Sequence, residues 1–252
     1  MILFLLIYFV SFDLTLGGAI LAANARWRAT PDHRALARRI VSAMPWVAAA
    51  WALAAGGVVV LLTSGGQTLG HMALVPEWTA RGTLPRLLHV ALAAVAIAGF
   101  AVAYGSLVIR RDDPLFGRWL ARHGLVWFVL CSTLNVPMGG AWLVKLPRPV
   151  LERLEGGDTI AMAAISAGVI AAILALGFGA LAAVLAEPRG YLHATGVALG
   201  ITLIAMVIVR EQLRPAAGAS VDAGRGVMAA LLTAVAAWCW WRARSAFVRR
   251  RA

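Results

Sequence analysis

The sequence predicts an all-α protein: a polytopic transmembrane bundle of seven helices. Three observations lead there. The chain is 62% hydrophobic and only 13% charged over 252 residues, whereas soluble domains are about 45–50% apolar and about 25% charged. So much apolar surface exceeds what one soluble core of this size can hide, which makes the lipid bilayer the second solvent. Next, the apolar residues fall in long continuous runs rather than in the alternating pattern of a membrane β-barrel. Finally, the basic residues cluster between those runs.

A lipid-spanning helix needs roughly 20 mostly apolar residues, because each residue rises about 1.5 Å through a core about 30 Å thick. Seven segments qualify: 1–23, 43–63, 86–109, 123–145, 159–186, 192–209 and 226–243. Together they make one integral membrane domain over 1–252. The first carries no basic n-region and has Asp13 at its middle, so it reads as a retained helix, not a cleaved signal. The fifth is long enough to tilt. Glu187-Pro188-Arg189-Gly190 reads as a tight turn before the sixth. Two connections, 64–85 and 210–225, exceed a turn and read as solvated loops or covers on the outer surface.

Basic residues give the orientation. Loops one, three and five and the C-terminal tail hold 15 arginines, against 8 Lys and Arg on the other side. The arginine-rich side is expected in the cytoplasm of a bacterial inner membrane, with the N-terminus outside. Trp27, Trp46, Trp119, Trp238, Trp240 and Trp241 fall near that side, and Trp78 and Trp142 near the other, as interfacial belts do. The net charge of +12 is dispersed over these loops, which excludes a nucleic-acid-binding face. Cys131 and Cys239 sit in apolar runs without CxxC or CxxCH spacing, so neither disulfides nor thiolate metal sites are expected. Walker A, GxSxG and strand-linked GxGxxG motifs are missing, so soluble-enzyme chemistry has no support.

Against this background a few residues are candidates for chemistry. Asp13 is the deepest ionisable group; such a residue costs about 2.5–3.5 kcal/mol at a helix centre and normally faces the bundle interior. Gly17 lies one turn further on its face, followed by Gly18, and both permit close approach. Asn135 lies at mid-depth beside Pro137, Gly139 and Gly140, where a kinked helix with freed backbone groups is expected. Asp13 and Asn135, with Thr202, form a candidate midplane polar site; ordinary interhelical hydrogen bonding is the plain alternative.

The histidines sort by depth. His71 and His89 lie near the outer face, His123 and His193 open segments four and six, and His33 is expected in solvent. Two histidines from different helices at one depth are what a haem iron takes. His89 leads, because Arg86 beside it suits a haem propionate or a quinone-bound water; His123 with His193 comes second. Arg210 and Arg214 share a face at the end of segment six and, with Glu211, suit an anionic head group, a propionate or a partner protein. The plain alternative is a stop signal for an apolar helix.

Leu14-Thr15-x-Gly17, the Ala-Asn-Ala-Arg-Trp-Arg loop, Ala35-Leu-Ala-Arg-Arg39 and the Leu84-Pro-Arg-Leu-Leu-His89 start of segment three carry a resemblance. The first sixty residues resemble the start of the large subunit of bd-type quinol oxidases and related bacterial respiratory membrane proteins. The resemblance implies a haem- and quinone-linked membrane subunit. Its histidine ligand before LTxG is replaced here by Tyr8, and its quinol-binding loop has no counterpart. Three readings follow. One is the membrane subunit of an electron-transfer complex, with haem b or quinone as cofactor and other subunits as partners. The others are a small proton-coupled transporter with a midplane site and a non-catalytic membrane anchor or assembly subunit.

Overall fold

The computed structural model describes residues 2–28, 30–64, 83–146, 148–185 and 189–213. Helix α1 spans Ile2–Arg28, α2 Pro31–Ser64, α3 Thr83–Ile109, α4 Pro114–Leu143, α5 Arg148–Glu152, α6 Thr159–Val184 and α7 Arg189–Leu213. Six predicted spans fall on α1, α2, α3, α4, α6 and α7. Among the described residues five helices are long and apolar enough to cross a membrane: α1, α3, α4, α6 and α7. The chain is thus an all-α, multi-pass membrane protein. Segment 226–243, most of 64–85 and residues 214–225 lie outside the described residues.

Several helices begin earlier than hydropathy predicts, and capping explains why. Thr30 precedes Pro31 and Asp32, and its hydroxyl oxygen accepts the His33 backbone N–H at 3.4 Å. A capping hydroxyl, a proline at the first helical position and an acid in the first turn all favour a helix start. The arginine-rich stretch expected as a loop is therefore the first three turns of α2. Arg34, Arg38 and Arg39 face out and Leu36 and Ala37 face in. Asp113 does the same for α4, its carboxylate accepting the Phe116 N–H at 3.0 Å ahead of Pro114. His123 consequently stands more than two turns inside α4 and does not open it. Asp158 caps α6 through the Ala161 N–H at 3.0 Å. Arg189 and Gly190, expected in a turn, already belong to α7. Helix α4 runs on through Pro137 to Leu143. Between α5 and α6 the wide turn Arg153–Gly157 closes on Gly156, whose φ of 133° suits only glycine.

Helices α1, α3, α4, α6 and α7 form a ring, with α2 packed along α1 outside it. Lipid tails are as apolar as leucine, so close packing and interhelical hydrogen bonds hold such helices together. Small residues provide the close packing at most joints. Gly17 of α1 lies directly on the Ala94 carbonyl of α3, Gly99 of α3 lies against Gly124 of α4, and Gly179 of α6 receives the Phe128 ring. Gly168 of α6 faces Ala205 of α7. The ring closes where Leu5 of α1 meets Val207 of α7 and the Arg210 guanidinium lies 4.3 Å from the centre of the Phe9 ring. Phe128, 2% exposed, lies in one buried cluster with Leu21, Val95, Ala98, Ala175 and Ala198, so all five ring helices contribute to one core.

This packing makes a prediction about glycines. Gly17→Leu should lower stability by about 1–3 kcal/mol through overpacking. Gly140→Leu, at a position with open space around it, should not. Unfolding midpoints in detergent read the difference, and equal responses would contradict the α1–α3 contact.

Candidate functional site

The richest cluster of polar and aromatic side chains lies at the arginine-rich end, where the corner between α1 and α2 meets the first half of α4. Phe116, Trp119, His123 and Trp127 recur at three- and four-residue spacing, so they rise along neighbouring faces of α4. Phe116 and Trp119 stack with ring centres 5.7 Å apart, and Trp119 and His123 stack at 4.8 Å. The Trp127 indole N–H donates to His123 Nε2 at 3.2 Å. Indole nitrogen only donates, so His123 is neutral with its proton on Nδ1. Below the column, the Arg39 guanidinium lies 5.6 Å from the Phe116 ring centre.

His33 of α2 reaches this column from the side. Its ring stands nearly perpendicular to Trp119 at 5.0 Å and to His123 at 5.2 Å. Its Nδ1 lies 2.6 Å from the Thr30 hydroxyl. Although it sits near the end of the bundle, it is only 9% exposed, because its immediate neighbours cover it. Among the described residues its buried Nε2 has no hydrogen-bond partner. Nor, among them, do the buried Asn24 Oδ1 and Ser106 Oγ, towards the same end of α1 and α3. Such orphans are uncommon and mark a place that water or a ligand completes.

The other candidates are placed separately. Gly17 rests on Ala94, so Asp13, one turn earlier on α1, stands at the level of residues 90–91 of α3. No hydrogen bond or ion pair joins Asp13 to a described residue. Gly139 touches His89 and Gly99 touches Gly124 and Phe128, so Asn135 lies between these levels, on the α4 side of α3. The Asn135 carbonyl oxygen is buried and unpartnered. Asp13 and Asn135 thus share a depth, but α3 stands between them. Thr202 does not join them: its hydroxyl turns to the Ala198 carbonyl at 2.9 Å and the Gly168 carbonyl at 3.5 Å. His89 stacks on Trp142 at 5.7 Å, and Arg86 stands in the first turn of α3. His193 Nδ1 pairs with the Tyr104 hydroxyl at 3.1 Å, so it is Tyr104 and not His123 that it meets. Tyr8, where the resemblance places a haem ligand, packs its ring 5.9 Å from Trp51.

These placements decide how haem fits. An iron held by two histidines needs a macrocycle between their rings. His33 and His123 are already in ring contact, and His123 Nε2 already takes the Trp127 N–H. His89 and His193 each have an aromatic partner and lie towards opposite ends. Among the described residues no histidine pair fits bis-histidine haem, and no group of three His, Cys, Asp or Glu suits a metal ion. No family model, curated protein or solved structure matches the chain.

His33 was expected in solvent, and Trp119 as a belt residue only. Trp27 and Trp46 are 87% and 79% exposed. The Thr-Pro-Asp-His start of a helix and the spacing of Trp119, His123 and Trp127 were the signals available.

Burial, then the Arg28 charge, lowers the His33 pKa from 6.5, with Asp32 partly opposing. The folded ring takes a proton less readily than the unfolded one. Its contribution to stability is therefore intact above pH 6.5 and falls as acid passes from 6.5 through the lower folded value. Thermal midpoints should decline with acid below pH 6.5 and decline less in His33→Gln. Equal slopes would show that the corner does not bury a neutral His33.

Proposed function

We propose that the chain is a membrane subunit of a quinone-linked electron-transfer complex in a bacterial cytoplasmic membrane. Its arginine-rich end faces the cytoplasm and its N-terminus lies outside. The observation that carries this reading is the contact of His33 and His123, from separate helices, within one aromatic column at a single end of the bundle. A lipid-soluble carrier needs flat apolar walls, a few directed polar groups and access from the bilayer. Phe116, Trp119 and Trp127 supply walls, the two imidazoles supply the polar groups, and both helices border lipid. A quinone, when bound, exchanges electrons and protons; the chain's own part is to orient it and to offer ring N–H groups at its oxygens. The resemblance of the first sixty residues points to the same class.

A second reading has one observation in its favour. Asp13 lies within a membrane span without a hydrogen-bond or ion-pair partner among the described residues, as a site for a proton or small cation in a transporter would.

The test is binding by the whole protein in detergent. Quinone should co-extract with the purified chain, and a short-chain quinone should bind it saturably. A chain that neither carries nor binds quinone is not the subunit proposed. If Asp13→Asn then abolishes proton-coupled uptake into proteoliposomes, the transporter reading replaces it.

A further inference from the structure

The cluster at the arginine-rich end holds a buried polar atom, His33 Nε2, that has no hydrogen-bond partner among the described residues. The Thr30 hydroxyl oxygen accepts the His33 backbone N–H. Its hydrogen is in reach of His33 Nδ1, 2.6 Å away. A hydroxyl that donates to Nδ1 leaves the ring proton on Nε2. Nε2 is the buried atom without a hydrogen-bond partner. In ring contact with His33 are the Trp119 and His123 rings, and an aromatic face is a weak acceptor at best. The proton on His123 is placed on Nδ1 by the donor-only Trp127 indole. With Thr30 donating to His33, two neighbouring imidazoles from two helices would both be neutral and both present an N–H. Arg28 stands close enough for its charge to act on His33.

From this we infer that the corner binds a flat, lipid-soluble ligand through a carbonyl oxygen, that His33 Nε2–H is the donor, and that Thr30 is the positioning residue that keeps the proton there. This rests on the quinone-linked reading above and deepens it: the quinone head group is the ligand class, and the α2–α4 contact is its site. Buried donors make strong demands. An N–H left without an acceptor in an apolar site costs more than an ordinary hydrogen bond returns, so a carbonyl arriving there gains the difference. A neutral acceptor suits the site better than a cation would, because Arg28 and the arginines of α2's first turns already make this end positive. His33 Nε2 is closed off by the rings around it, so its cover must part on binding. Trp119, half-buried and held by ring contacts, is the side chain placed to move.

The test uses the full-length protein in detergent and a short-chain quinone, with affinity read from saturable quenching of tryptophan fluorescence. His33→Ala should weaken binding about tenfold, the loss of one buried hydrogen bond. Thr30→Val should weaken it about threefold, by the same principle applied to a lost ring orientation, and Thr30→Ser should restore it. In nitrogen-15 spectra of the wild type, His33 should carry its proton on Nε2, and Thr30→Val should shift part of the population to Nδ1. Saturable binding left unchanged by His33→Ala would place the quinone elsewhere and overturn this site while sparing the functional reading. A His33 proton on Nδ1 would overturn the donor assignment. No saturable binding by the wild type would overturn both.

Discussion

A helix bundle in lipid gains nothing by hiding apolar surface, since its solvent is apolar too. What remains is shape, and here shape converges on Phe128. Its ring belongs to a buried cluster that draws side chains from α1, α3, α6 and α7. It packs beside Phe100 and lies on the bare backbone at Gly179. The same economy brings α3 against α4 at Gly99 and Gly124, and α1 against α3 at Gly17. Phe128 also stands one residue from Trp127, so the plug that fixes the rotation of α4 in the ring fixes the direction in which His123 and Trp127 point.

The polar site is a consequence of two capped corners meeting. Thr30-Pro31 starts α2 almost immediately after α1 ends, and Asp113-Pro114 starts α4 just after α3. Both corners lie at the same end of the bundle. The early start of α2 holds His33 on a rigid first turn, and the early start of α4 adds the turns that carry Phe116 and Trp119. Had either helix begun where its apolar run begins, the two imidazoles would not touch. Capping, not hydropathy, thus assembles this cluster.

That division also explains what the sequence revealed. Five of the seven predicted spans coincide with long apolar helices among the described residues, because twenty apolar residues in a row leave little alternative. Their starts at Pro31 and Pro114 were legible only through caps, which a hydropathy window ignores when arginines follow. Asp13 and Asn135 were rightly placed at one depth, but no pattern along either helix could tell that α3 would separate them. His33 was misjudged for a physical reason: a histidine among arginines is ordinarily solvated, and only a helix from far along the chain covers it. His89 and His193 found aromatic partners, Trp142 and Tyr104, that lie 53 and 89 residues away in sequence. Contacts of that range leave no local trace.

The site depends most on the coupling between His33 and His123. A double-mutant cycle with His33→Ala, His123→Ala and the double variant measures it, using unfolding free energies of the purified protein in detergent. Rings in contact within one buried cluster should be coupled by about 0.5–1.5 kcal/mol. Single losses that simply add in the double variant would mean that α2 and α4 do not meet through these side chains, and the site would dissolve with them.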